Sequence, residues 1–456
     1  MNTRRNFLRN TALRLAAIAV LSAVVTAPVN AAQKNETGKL KAGIAREIIT
    51  PKVGGLLSGY GSDKPSTVVH DDLTVTALSI EYENTKVILM SATVCLISND
   101  LTESLRKQCG EAAGIPAENV ILAATHTHSG PVMTAEYNSQ IFIPKCIIAA
   151  KAAVQNLKPA TIGVGKTDSK VGINRRKLMP DDRVLLSNNP WGTHDPEMTV
   201  ISFKDKSEKP VFNLIHCSAH NTAAGIVTAV SRDWCGVMID RLETESGAMT
   251  AFFNGCAGDI APRMANGGST GDMKHMMEIG AVAGIDAVNT YKDIREYRDV
   301  DMSVVTDDII IPFEPIKPLE SAKQQYAAIE HSTARFDGGA RNLLKKVIEM
   351  HERGETGEAD FVFEQTLVRI GPAVFIPIPF EPSAEISMRL RTYSKFGYTL
   401  AMGYTNGSNS YLPSQDQICR GGYEVERFQW AMPRQLPVNT DTLLINENLR
   451  IMEKLL

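Results

Sequence analysis

The histidines set the first constraint on what this chain can do. His126 and His128 stand two apart in Thr125-His126-Thr127-His128-Ser129-Gly130-Pro131, directly after the apolar run Val120-Ile121-Leu122-Ala123-Ala124. Residues at i and i+2 of an extended chain point the same way, so both imidazoles can reach one site. Such a pair suits a metal ion, and it equally suits local hydrogen bonding in a loop. His216 closes a second apolar run, from Val211 to Ile215, in the same strand-to-loop setting. With His220 it has the i, i+4 spacing of helical zinc proteases, but Cys217 stands where their glutamate is required, so that motif is absent. Histidines at the ends of separate strands can still converge on the face where α/β sheets hold their ligands.

Two carboxylates and a phenol accompany them. Asp259 lies in Asn254-Gly255-Cys256-Ala257-Gly258-Asp259-Ile260-Ala261-Pro262, whose small residues allow a tight turn after a strand. It suits a metal or a histidine partner, and equally a structural turn in which it bonds backbone amides. Nothing beside Cys256 in sequence would activate its thiol, so it reads as a small buried residue. Glu381, in Pro379-Phe380-Glu381-Pro382, is held rigidly between two prolines. That placement suits a metal ligand or a general base, and also an ordinary helix N-terminus. Tyr411 lies in a polar loop, Gly403 to Pro413.

The elements that must position these residues alternate between short apolar runs and amphipathic stretches. The pattern predicts strands over 120–124, 211–215, 249–253, 366–370, 374–379 and 399–404. Helices are expected over 100–113, with Asp100 and Glu103 as a capping box and Gly114 as the stop, and over 142–157, 233–244 and 273–291. Asp233 is the expected N-cap of the third. The stretch from 321 to 353 is also helical but heavily charged, and reads as a solvated insertion, about 318–357 in extent, that takes no part in binding. Strands interleaved with helices imply a layered α/β domain with a mixed sheet.

Taken together, the motifs resemble the neutral/alkaline ceramidase family. Gly43-Ile44-Ala45, Ile49-Thr50-Pro51, Ser58-Gly59-Tyr60, the His126 segment, His216, the Asp259 turn, Pro379-Phe380-Glu381 and the Tyr411 loop occur in that family's order, from about Gly43 to Glu426. The Tyr411…Tyr423-Glu424 spacing matches as well. The resemblance implies a zinc ion (Zn2+) held by His126, His216, Glu381 and Tyr411. It further implies that His128 contacts substrate and that Arg175 lines the same pocket; His128 is also the candidate for proton transfer, and Tyr411 could leave the metal to donate to the oxyanion. Zinc lowers the pKa of its bound water from 15.7 to about 7, which supplies a hydroxide for attack on an amide. The implied activity is hydrolysis of a ceramide-like N-acyl lipid to a fatty acid and a long-chain base. The chain departs from the family at Ala261, where a serine is usual, at Val132-Met133, at Cys217-Ser218-Ala219-His220 and at Phe380. Ala261 excludes a serine nucleophile there. The other changes keep open a zinc amidase or esterase acting on another N-acyl or ester substrate, and a noncatalytic binding protein on the same fold. The chain ends soon after the tyrosine loop, so no C-terminal immunoglobulin-like domain is expected.

Bulk properties narrow the setting. Of 456 residues, 43% are hydrophobic and 22% charged, an ordinary globular balance with a large core. Residues 1–31 read as a twin-arginine export signal: Arg4-Arg5 precede an apolar stretch from Leu15 to Val25 and a small-residue cleavage site at Val29-Asn30-Ala31. The catalytic domain then spans 32–456, and its setting is periplasmic or secreted. Removing the signal deletes Arg4, Arg5, Arg9 and Arg14 and no acids, moving the net charge from −3 to −7. An acidic chain without a basic stripe argues against nucleic-acid partners. No later run has the length for stable membrane insertion. The expected partner is a small-molecule or lipid substrate, and no protein partner is readable. Seven scattered cysteines without a CxxC pair do not form a disulfide scaffold.

Overall fold

Strands whose residues are buried on both faces build two sheets that pack through a common core. A computed structural model describes residues 39–61, 63, 65–333 and 337–456, and the export signal expected over 1–31 lies outside them. The larger sheet contains β1 (Leu40–Ile48), β2 (Thr74–Tyr82), β3 (Thr85–Ala92), β4 (Val120–Ala124), β5 (Lys158–Asp168), β6 (Glu197–Asp205), β7 (Pro210–Cys217) and β8 (Thr250–Asn254). Its order is β8-β7-β6-β5-β1-β2-β3-β4. Neighbours are antiparallel except at the two edges, where β3 with β4 and β7 with β8 run parallel. The smaller sheet, β9 (Met302–Pro312), β10 (Asp360–Ile370), β11 (Ala373–Pro377) and β12 (Tyr398–Met402), is antiparallel except for the parallel pair β11 and β12.

Side chains at alternate positions of each strand face opposite layers. Leu78 and Ile80 of β2 join Phe375 and Leu400 in a core between the sheets, while Val75 and Ala77 face the other way. That outer face is covered by α1 (Asn99–Ala113) and α2 (Ile143–Gln155), through Leu105, Cys109 and Ala149. Two further helices, α3 (Trp234–Ser246) and α4 (Met273–Asp293), cover Val200, Ile215 and Phe252. They approach closely because Gly280 has no side chain: a Cβ there would meet Val237 Cβ at 2.4 Å. The second sheet's outer face is covered by α7 (Ala384–Tyr393) and α9 (Thr440–Met452); the pair α5 (Leu319–Ile329) and α6 (Asp337–Glu352) precedes α7 in the chain, and the short α8 (Tyr423–Gln429) lies between α7 and α9. The fold is thus the layered, mixed-sheet α/β arrangement expected. No strand follows Leu412 among the described residues.

Two expectations change in detail. The cap of α1 is Ser98, whose hydroxyl accepts from the Leu101 amide, and not Asp100. The stretch over 321–353 is two helices, with Ala322, Leu344 and Val347 forming a small core against Trp430.

Each parallel pair is a strand-helix-strand unit: α1 joins β3 to β4, α3 joins β7 to β8, and α7 joins β11 to β12. Loops leaving the C-terminal ends of β4, β7, β8, β11 and β12 therefore gather at one end of the layers, which is where such sheets bind ligands.

Candidate metal centre

Those loops carry the chemistry. His126 lies two residues past β4 in a left-handed conformation, φ +69°, with the Tyr404 ring stacked on it at 4.2 Å. Tyr404, in the loop after β12, also has a positive φ of 56°. Two non-glycine residues held in that region mark a backbone shaped for its site. His220 lies past β7, and its ring meets that of His126 edge-on at 4.7 Å. Glu381 follows β11 and pairs in a short parallel bridge with Tyr411. All five side chains are buried.

His126, His220 and Glu381 form a group whose potential ligand atoms all lie within 4.8 Å of one another. Glu381 Oε2 is 3.2 Å from His126 Nε2 and 3.5 Å from His220 Nε2. Tyr411 Oη is 3.3 Å from His220 Nε2. Tetrahedral zinc with ligands at about 2.0–2.1 Å spaces its ligand atoms about 3.3 Å apart, and the three separations of 3.2–3.5 Å are of that length.

The far side of each ring fixes which nitrogen faces inward. His126 Nδ1 is 2.9 Å from the Cys95 carbonyl and His220 Nδ1 is 2.7 Å from the Ala257 carbonyl. A carbonyl only accepts, so each Nδ1 carries a hydrogen and each Nε2 is left for a metal or a proton. Glu381 Oε2 is buried without a properly directed hydrogen bond. An acceptor oxygen facing two imidazole nitrogens at this range is satisfied by a cation held among them, and without one by a proton on His126. These residues therefore fit a divalent zinc-type ion. Cys95, His126 and His128 form a second group, but there the Nδ1 of His126 nearest Cys95 Sγ is already spent on the carbonyl.

Electrostatics follow the same geometry. Burial opposes charge on Glu381, but His126 and His220 outweigh it and hold the carboxyl well below the usual range. In return Glu381 raises His126 to about 10 against the burial that lowers it. His220 is lowered to about 3 by burial and then by the Arg175 charge. His128 Nε2 is 3.2 Å from His126 Nε2, and burial, His126 and His220 push His128 well below its ordinary value. Arg175 donates from Nη2 to Tyr411 Oη at 3.1 Å and from Nε to Glu424 Oε1 at 2.9 Å. Burial pushes the Tyr411 phenol upward and Glu381 adds to it, while Arg175 pulls it back.

Of the residues singled out from sequence, His126, His128, Arg175, Glu381 and Tyr411 come together, and His216 does not. Phe212, Leu214 and His216 share one face of β7, and that face is covered by the second sheet. His216 Nε2 accordingly meets the Ala401 carbonyl of β12 at 3.1 Å. His220 stands where His216 was expected. The signal for it was its place past the strand end, matching that of His126 past β4. Asp259 takes the turn role, accepting from the Ala384 amide at 2.8 Å, Asn174 Nδ2 at 3.1 Å and Gln417 Nε2 at 2.7 Å. Burial pushes the Cys256 thiol up, the opposite of an activated nucleophile. All seven thiols are unpaired.

Fold and site together define a mixed α/β protein with a histidine–carboxylate cluster at the strand ends. Among solved structures, a neutral ceramidase from Pseudomonas aeruginosa shares the fold, with a TM-score of 0.68 over 90% of this chain and 73% of that one, at 18% identity. A ceramidase complexed with C2 aligns equally, with a TM-score of 0.68 over 90% and 74% of the two chains at 18% identity. No protein-family model and no curated protein sequence matches the chain. The chain thus has the neutral ceramidase fold.

Proposed function

We propose that the chain is a zinc-dependent hydrolase of the amide bond in a ceramide-like N-acyl lipid, releasing a fatty acid and a long-chain base. One observation carries the reading: the inward-facing Nε2 atoms of His126 and His220 meet Glu381 Oε2 at tetrahedral-edge spacing, on a fold shared with ceramidases. Zinc held by His126, His220 and Glu381, with Tyr411 beside them, would supply Lewis acidity to an amide carbonyl and to water.

The chain's own residues supply the rest. His128 is an uncharged imidazole at neutral pH because burial and its histidine neighbours disfavour its cation. It is therefore poised to accept a proton from attacking water and to pass it to the leaving nitrogen, as a general base that becomes the acid. Arg175 keeps a buried positive charge, pinned by Glu424, beside the Tyr411 oxygen. That pair supplies a hydrogen bond and a charge to the oxygen that turns negative when the carbonyl is attacked. Arg4-Arg5 and the apolar stretch behind them support export to the periplasm or beyond.

Val132, Met133 and Phe380, which replace the family's usual residues, support a second reading with the same centre and a different N-acyl or ester substrate. The test is hydrolysis of an N-acylsphingosine by the mature chain, beside a panel of soluble amides and esters. Chelation should abolish turnover, zinc should restore it, and His126→Ala should reduce it by at least about a hundredfold. Turnover that survives chelation, or survives in His126→Ala, would overturn the proposal. Turnover confined to the soluble substrates would replace the first reading by the second.

A further inference from the structure

His128 is the one histidine of the cluster that is not fully buried, so the site meets solvent there. What surrounds that opening is unusual for its lack of charge. The backbone at Gly59 lies against the His128 ring, where a Cβ would come within 2.4 Å of Cγ, and the Tyr60 ring crosses it edge-on at 4.7 Å. From this crossing three loops spread outward, tied to one another by backbone hydrogen bonds. Val132 donates to the Leu56 carbonyl at 3.0 Å and Ser58 to the Gly130 carbonyl at 2.9 Å. Val68 and Val69 pair with Ala229 and Val230, and His128 donates to Asn221 at 3.1 Å.

Leu56, Val68, Val69, Val132 and Ile226 on these loops are all exposed aliphatic side chains, Ile226 by 66%. Leu56, Gly59 and Val132 border a hollow of about 430 Å³, with Asp63 as the one charged residue in its lining. No Asp, Glu, Lys or Arg occurs in 53–61, 65–69, 129–135 or 221–230, and the intervening 62–64 holds one acid and one lysine. Exposed apolar patches of this kind mark binding surfaces. A nucleic-acid site would need clustered positive charge, which this rim lacks.

We propose that this aliphatic rim, without net charge, seats the mouth of the site on a zwitterionic lipid surface, so that an N-acyl lipid passes from the bilayer past Tyr60 to His128. The choice of a lipid over another occupant rests on the substrate reading above and on the match between a rim without net charge and a surface without net charge. Insertion is aliphatic, with no basic cluster, so attachment depends little on salt and is not strengthened by anionic lipid. No helix among the described residues is long and apolar enough to cross a membrane, so attachment is at the interface.

The test floats the mature chain with phosphatidylcholine vesicles containing no substrate. Wild type should co-float, with less than a twofold change between low and high salt. Leu56→Asp with Ile226→Asp should weaken co-flotation at least about tenfold, while Trp191→Asp, which removes a 94% exposed side chain on a separate loop, should leave it unchanged. The double variant should keep its rate on a water-soluble N-acyl amide within about twofold and lose about tenfold on a long-chain substrate carried in the vesicles. A thermal melt shows whether it folds, and Val132→Ser with Ile226→Ser replaces it if it does not. Wild type that fails to float, a rim variant that floats like wild type, dependence on Trp191 instead, or a dimer broken by the rim variant with flotation intact would each overturn the proposal. Flotation needs no turnover, so a protein that floats through the rim but cleaves no amide would sink the catalytic reading and leave the docking surface standing.

Discussion

Glu381 and Tyr411, far apart in the chain, face each other across a two-residue parallel bridge, with the Glu381 amide donating to the Ser410 carbonyl at 2.9 Å. Their shared backbone holds the carboxylate and the phenol in one register at the site. Tyr411→Phe keeps that bridge and removes only the oxygen that receives Arg175. It should retain stoichiometric zinc on three ligands while kcat falls about 10²–10³-fold, the usual loss for one donor at a developing oxyanion. Steady-state kinetics beside metal analysis checks this. A rate within threefold of wild type would remove Tyr411 from the chemistry.

The two histidines past β7 make opposite predictions. His220→Ala should lower zinc affinity by a hundredfold or more, whereas His216→Ala should keep full zinc occupancy and lose only packing and its bond to Ala401. Competition with a chromogenic chelator measures both. Zinc loss in His216→Ala with retention in His220→Ala would restore the assignment read from sequence.

Without metal, His126 is raised to about 10 and Glu381 is held low, so the pair keeps a proton at neutral pH. Metal must displace that proton. The free site therefore binds one more proton than the loaded site, and raising the pH favours loading: affinity should rise about tenfold per pH unit around neutrality, with about one proton released. Calorimetry in buffers of different ionisation enthalpy reads the proton directly. Uptake, or no proton change, would contradict the charge state assigned to His126.

Glu424 holds Arg175 and Arg176 together, at 2.9 and 2.5 Å, with all three side chains buried. Glu424→Gln leaves two buried guanidinium groups without their carboxylate, which should cost about 3–5 kcal/mol of stability. Urea unfolding measures it, and a change below about 1 kcal/mol would mean that water compensates the pair.

Much of this was legible before the structure, for physical reasons. Val120–Ala124 is an apolar run bounded by a polar loop on each side, so both its strand and the exit at His126 could be read. Asp233 likewise caps α3 as expected. His216 and His220 were harder, because the choice turns on which face of β7 is covered. That depends on the second sheet, whose packing on Phe212 and Leu214 is set by strands more than a hundred residues later. Tyr404 is invisible to pattern reading for the same reason: its ring matters only because the loop after β12 folds over His126. The break between α5 and α6 was hidden by helix-forming residues on both sides of it.

The most direct test of the account is anomalous diffraction at the zinc edge from crystals of the mature chain grown with zinc. The account predicts a single strong peak about 2.0–2.2 Å from His126 Nε2, His220 Nε2 and a Glu381 carboxylate oxygen, with Tyr411 Oη next nearest. A peak coordinated by His216, or no peak among these side chains at full zinc loading, would contradict it.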